Sequence, residues 1–247
     1  MLMPRRLDYR KIAEYYDMVE SGPGELEERV EKALRHHKVK TVLDITAGTG
    51  KQSLYLAERG YKVIANDIEP SMLEVARSKM KSHRIRMRFN VGDMRSVRLG
   101  TFDAIISMYN SVGHLSKSGF AAALSNISRS LRAGGIYVFD IVAREFAEAG
   151  LPSHEFIGTA KTIGGTKLVV FIRYSYRSDE LDVHQRLVVQ EGSALQKTIT
   201  NSWGMKVYYY KELEELLWRY GFKVLKEESV RGGADGRRSH FVVAMKS

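Results

Sequence analysis

The sequence predicts an α/β protein: a seven-stranded, mostly parallel sheet with helices on both faces and an antiparallel last strand, interrupted by a smaller antiparallel β unit. Three observations predict it. Short apolar runs alternate with amphipathic helical stretches up to residue 141, which implies right-handed crossovers and a sheet covered on both faces. The periodicity then switches from about 3.6 to 2 between residues 155 and 204. A helical stretch and two further extended runs close the chain. With 247 residues, 44% of them hydrophobic and 28% charged, the chain can bury a sizeable core.

The elements follow in order. Residues 8–20, aromatic and charged, predict a short helix. Leu26, Val30, Ala33 and Leu34 fall on one face of an amphipathic helix. The apolar run 41–45 predicts the first strand, with Asp44 near its end. Gly48 and Gly50 then supply a turn that admits positive φ and lets a ligand press on bare backbone. The next helix runs to about Arg59 and stops at Gly60. A second strand over 62–66 ends at Asp67, and Pro70-Ser71 opens a helix. Strands are expected over 86–91, 104–108 and 136–141. Between the last two lies a helix bearing Phe120, Leu124, Ile127 and Leu131, broken by Gly134-Gly135. Within 155–204, Gly164-Gly165 predicts a hairpin, and Leu181, Val183, Leu187 and Val189 alternate with polar neighbours. The final strands are placed at 223–226 and 241–245, joined by a loop over 229–239. This divides the chain into 1–150 with 206–247, the α/β domain, and 151–205, the inserted unit.

Composition narrows the function. With no cysteine, disulfides and thiolate chemistry are excluded. No apolar run approaches the ~18 residues of a membrane span, and the N-terminus lacks a signal-peptide core. The expectation is therefore a cytoplasmic protein without membrane contact. A net charge of +10 fits an anionic partner as well as a solvated Lys/Arg-rich surface.

The chemistry sits at the carboxyl ends of strands, where open α/β sheets bind ligands. Gly48-Thr49-Gly50 offers a glycine turn at a helix start. At the end of strand two, Asp67 can accept both hydroxyls of a ribose. After strand three, Asp93 can reach an adenine amino group beside Met94. Met108, Tyr109 and Asn110 end strand four at the central crevice. No His/Asp/Glu cluster has metal-ligand spacing. The glycines also half-fit a dinucleotide fingerprint, with Ser53 at the third position, but that reading leaves Gly92-Asp93-Met94 unexplained.

The ordered motifs VLDITAGTG (42–50), VIANDIEPSML (63–73), NVGDMRSV (90–97), FDAIISMYNSVGHL (102–115) and LRAGGIYVFDI (131–141) resemble those of class I S-adenosylmethionine-dependent methyltransferases, with a Rossmann-like sheet. Thr46-Ala47 departs from the Cys or Gly often found there. MYNSVGHL (108–115), GGADGRR (232–238), YYDMVESGPG (15–24) and the antiparallel insertion look more narrowly like nucleotide-sugar N,N-dimethyltransferases. The resemblance implies S-adenosyl-L-methionine as cofactor, contacted by Tyr16, Asp44, Thr46, Gly48, Thr49, Gly50, Asp67, Ile68, Met72, Asp93, Met94, Met108 and Asn110. It implies His114 and Tyr9 as catalytic residues, Ser111 and Arg237 as substrate contacts, and a homodimer. The expected reaction is methyl transfer to a small-molecule acceptor, an amine, with an anionic nucleotide conjugate as one form. RNA or protein methylation is the alternative, motivated by the basic stretch 77–88. No RNA-binding module accompanies that stretch, and strand four lacks an Asn-Pro-Pro-Tyr tetrad.

Overall fold

The computed structural model describes residues 8–20, 24–83, 85–149, 151, 154–192, 194–232 and 237–247. A 3-10 turn at Tyr9–Lys11 precedes α1 (Tyr16–Glu20) and α2 (Glu25–His36). Then come β1 (Thr41–Asp44), α3 (Lys51–Glu58), β2 (Lys62–Asp67), α4 (Pro70–His83), β3 (Arg88–Val91) and β4 (Phe102–Ser107). A second 3-10 turn, Ser111–His114, leads into α5 (Lys117–Ser130), β5 (Leu131–Val142) and α6 (Arg144–Glu148). Four antiparallel strands follow: β6 (Phe156–Ile163), β7 (Thr166–Arg177), β8 (Glu180–Glu191) and β9 (Ala194–Lys206). The chain ends with α7 (Tyr210–Arg219), β10 (Phe222–Gly232) and β11 (Arg237–Lys246).

The main sheet has the order β10-β11-β5-β4-β1-β2-β3. Only β11 runs against the rest, pairing antiparallel with β5 and β10. The central strands are apolar on both sides because helices cover both faces. Ala104, Ile106, Ile136 and Val138 pack with Val30 and Leu34 of α2 and Leu56 of α3. Ile105, Tyr137 and Phe139 point the other way, into Phe120, Leu124 and Ile127 of α5 and Leu213 and Leu217 of α7. Helix ends are tied down locally. Ser116 accepts the Gly119 N–H at the start of α5, and Glu212 accepts the Tyr209 N–H at the start of α7. The strand order reverses between the parallel neighbours β1 and β4, so their carboxyl ends open a crevice at the middle of the sheet.

The second sheet is a separate meander, β6-β7-β8-β9. Gly164 and Gly165 turn its first hairpin with φ of 57° and 85°, as a two-residue loop of the primed type requires. Its inner face carries Leu168, Val170, Leu181, Val183, Leu187 and Ile199, packed with Ile12, Val19, Val142 and Ala147. The N-terminal segment is thus held between this sheet and the end of β5.

Three expectations are corrected. The closing hairpin is longer than expected: its ladder runs out to Arg231 opposite Arg238 and Gly232 opposite Arg237. Strand β10 lies at the sheet edge, where a strand tolerates charges that read as a loop in sequence. Gly134 and Gly135 do not precede β5 but lie in its irregular first part, where Phe102 pairs with Leu131 and Ala104 with Ile136. Strand β4 starts and stops earlier than expected, leaving Met108 just past its end. Residues 21–23 of YYDMVESGPG and 233–236 of GGADGRR lie outside the described residues. Among the described residues no helix is long and apolar enough to cross a membrane.

Candidate active site

The carboxyl ends of β1, β2, β3 and β4 and the N-terminal segment enclose a cavity of about 290 Å³. Tyr9, Tyr16, Thr46, Gly48, Thr49, Asp67, Ile68, Met72, Asp93, Met94, Met108, Ser111 and His114 all line it. Four other sequence candidates do not. Asp44 is 2% exposed and lies beneath the turn, accepting a hydrogen bond from the Ser53 hydroxyl at 2.6 Å. Gly50 faces α4, and a Cβ there would sit 2.8 Å from the Ala76 Cβ. Asn110 is buried and turned away: its Oδ1 accepts the Val142 N–H at 2.9 Å, and its own N–H points to the Asp140 carboxylate. Arg237 starts β11 on the same edge of the sheet, beyond β5 and outside the lining.

The β2–β3 side of the cavity sets two carboxylates beside an apolar wall. Asp67 holds the turn with one oxygen, accepting the Gly48 N–H at 2.7 Å, and takes the Glu69 N–H on the other at 2.9 Å. Carboxylate oxygens have about four lone-pair sites, so each keeps acceptor capacity for a ligand. Burial raises the Asp67 pKa against the pull of these backbone donors. Asp44 is pushed up to about 7, first by burial, with the Asp67 charge adding to it. Asp93 is engaged by Arg95 through its backbone N–H at 2.8 Å and its guanidinium Nε at 2.9 Å. Ile68, Met72, Met94 and Leu115 supply apolar wall.

Further groups come from the N-terminal segment and from the β4 side, of which the sequence reading missed Glu27 and Lys51. Asp17 accepts the Thr49 hydroxyl at 2.5 Å and pairs with Lys79 of α4, which fastens α1 over the glycine turn. Tyr109 and Asn110 both adopt left-handed backbone, φ 62° and 57°. For a bulky tyrosine this costs about 1–3 kcal/mol and persists only when its surroundings enforce it. Tyr109 is held by its hydroxyl, which donates to Glu27 Oε1 at 2.5 Å. Burial and then the Glu27 charge raise the Tyr109 pKa well above the phenol range. Lys51 lines the same end and pairs with Glu27 at 2.8 Å. Where the two sides meet, the Tyr9 hydroxyl and His114 Nε2 are hydrogen-bonded at 3.1 Å. The Ser111 hydroxyl donates to the Met108 carbonyl at 2.7 Å. Among the described residues no group of three or more His, Asp or Glu side chains could hold a metal ion.

The donor set fits an adenosyl cofactor. Gly48 presents an α-carbon with φ of 55° to the cavity, and the nearest atom to an added Cβ is the movable Met72 Cε at 3.4 Å. Thr46 Oγ1 is buried on this wall without a hydrogen-bond partner. Residues 42–135 match the model of a methyltransferase domain. A dTDP-3-amino-3,6-dideoxy-alpha-D-glucopyranose N,N-dimethyltransferase of Streptomyces fradiae is 30% identical over 185 residues, 70% of this chain and 69% of that protein. The chain belongs to the S-adenosylmethionine-dependent methyltransferases. Human glycine N-methyltransferase is 33% identical over 124 residues, 43% of this chain and 42% of that protein. A solved S-adenosylmethionine-dependent methyltransferase from Clostridium acetobutylicum superposes with a TM-score of 0.81, covering 97% of this chain and 99% of that one at 16% identity. The methyltransferase cofactor is S-adenosylmethionine.

Proposed function

We propose that this methyltransferase transfers a methyl group to the amine nitrogen of a small acceptor, and that the acceptor approaches past Tyr9, Ser111 and His114. The hydrogen bond between Tyr9 and His114 in the cavity wall carries this reading. When bound, the cofactor supplies a methyl group already activated on a sulfonium. The chain must then align the acceptor behind that methyl, exclude water and leave the nitrogen neutral.

In this reading Asp67 accepts the ribose hydroxyls, and Ile68, Met72, Asp93 and Met94 surround the adenine. Tyr16, Thr46, Gly48 and Thr49 face the methionyl chain, and Met108 lies between the two ligands. Asp44, Gly50 and Asn110 support the wall from behind. An acceptor enters as an ammonium, and His114 takes a proton from its nitrogen. The freed lone pair forms the N–C bond as the C–S bond breaks. The Tyr9 oxygen orients the imidazole by accepting from Nε2–H, which leaves Nδ1 to take that proton. An anionic tail on the acceptor would extend along the sheet edge toward Arg237. The curated relative from S. fradiae, whose name states a dTDP-amino sugar, supports that class of acceptor. A cytoplasmic location and a homodimer complete the reading; the exposed Ile157, Ile163 and Leu195 on the four-stranded sheet support the dimer, which light scattering tests.

The experiment is a panel of dTDP-amino sugars, free amino sugars, glycine and an RNA oligonucleotide, incubated with cofactor and read by mass spectrometry with fragment assignment. The expected result is methyl gain on nitrogen of a small amine. His114→Ala should lower kcat by about 10²–10⁴-fold, and Tyr9→Phe by less, with a shifted pH profile. Methylation only at hydroxyl or carbon, or only of RNA, would overturn the reading.

A further inference from the structure

Glu27 stands behind the cavity rather than in it. It is 3% exposed, on α2, yet its Oε1 takes hydrogen bonds from two lining residues on other elements. The Tyr109 hydroxyl donates to it at 2.5 Å from the turn after β4, and the Lys51 ammonium at 2.8 Å from the start of α3. The Lys51 ammonium also lies 5.6 Å from the centre of the Tyr109 ring. A carboxylate this buried is kept ionised only by such partners. Burial pushes the Glu27 pKa up, and the hydrogen bonds from Lys51 and Tyr109 more than reverse it.

An ammonium has three N–H donors, and Glu27 takes one. The Lys51 side chain is 31% exposed and lines the cavity, so its charge is presented there on a short leash. Asp67 and Asp93 follow β2 and β3; Tyr109 follows β4, across β1 in the sheet, and Lys51, at the start of α3, is drawn to the Tyr109 side by their shared partner Glu27. A ligand whose sugar sits at Asp67 therefore extends its other end toward Lys51. For the cofactor that end carries an α-carboxylate.

We propose that Lys51 is the carboxylate-binding residue at the methionyl end of the cofactor site, and that Glu27 is its positioning residue, fixing the ammonium and the Tyr109 ring against the cavity wall. The proposal rests on the cofactor placement given under the proposed function.

The test compares two ligands that share the adenosyl group. S-adenosylhomocysteine carries the amino-acid end; 5′-methylthioadenosine lacks it. Calorimetry gives the dissociation constant of each for the wild type, Lys51→Met, Glu27→Gln and the double variant, with thermal melts confirming folding. Lys51→Met should weaken S-adenosylhomocysteine by roughly 10–100-fold, the worth of a charge-assisted hydrogen bond, and leave methylthioadenosine within about twofold. Lys51→Arg should restore part of the preference. Glu27→Gln alone should reduce the preference, and in the Lys51→Met background it should change it no further. An unchanged ratio in Lys51→Met, a raised ratio in Glu27→Gln, or equal effects of Glu27→Gln in both backgrounds would overturn the proposal alone. A wild type that binds neither ligand would overturn the cofactor placement and the proposal with it.

Discussion

Gly48 and Gly50 belong to one turn, yet the structure gives them different work, and their alanine variants should separate it. Both have positive φ, 55° and 78°, so either substitution costs an L-residue about 1–2 kcal/mol. At Gly48 the added methyl meets only the Met72 Cε, at 3.4 Å, on a side chain that can move. At Gly50 it meets the Ala76 Cβ at 2.8 Å and Cα at 3.5 Å, which cannot yield without separating α3 from α4. That overpacking adds about 1–3 kcal/mol. Urea unfolding should therefore show Gly50→Ala destabilised by about 2–5 kcal/mol and Gly48→Ala by about 1–2 kcal/mol. Calorimetric binding of S-adenosylhomocysteine should show the opposite order, because only Gly48 lines the cavity. Equal stability losses, or stronger loss of binding in Gly50→Ala at a temperature where it is folded, would refute the division of roles.

Two further substitutions probe the layer behind the cavity. Asp44 has a folded pKa raised to about 7 from an ordinary 3.8. The unfolded chain therefore loses this proton first, and Asp44 erodes stability as pH rises from about 4 to 7. Asp44→Asn, whose side-chain oxygen can still accept from Ser53, should gain on the wild type by roughly 2–3 kcal/mol between about pH 5 and pH 8; a pH-independent difference in denaturation midpoints would contradict this. Asn110→Ala leaves the buried Val142 N–H without its acceptor, and should cost about 2–4 kcal/mol including the left-handed backbone. Asn110→Gly, free of the backbone cost, should be about 1 kcal/mol less damaging in the same unfolding assay.

The architecture was largely legible because it rests on local signals. Period-2 and period-3.6 patterns, Pro70 at a helix start and Gly164-Gly165 at a hairpin are properties of neighbouring residues. Asp67 and Asp93 were legible as lining residues for the same reason, since the carboxyl ends of β2 and β3 open on the crevice. Facing was harder to read. Asp44, Gly50 and Asn110 adjoin lining residues in the chain, but successive residues in a strand end or tight turn point to different sides. Ladders at an edge were also obscured, because the charges of β10 carry no apolar alternation. Glu27 and Lys51 escaped entirely. Glu27 meets Tyr109 across 82 positions, and a helical glutamate behaves in sequence like any solvated charge.

The most direct test of the account is a crystal structure with S-adenosylhomocysteine bound. The account predicts ribose hydroxyls on Asp67, the amino-acid end at Lys51, and the sulfur turned toward Ser111, Tyr9 and His114. A ligand whose ribose avoids Asp67, or whose sulfur faces away from the Tyr9–His114 pair, would contradict it.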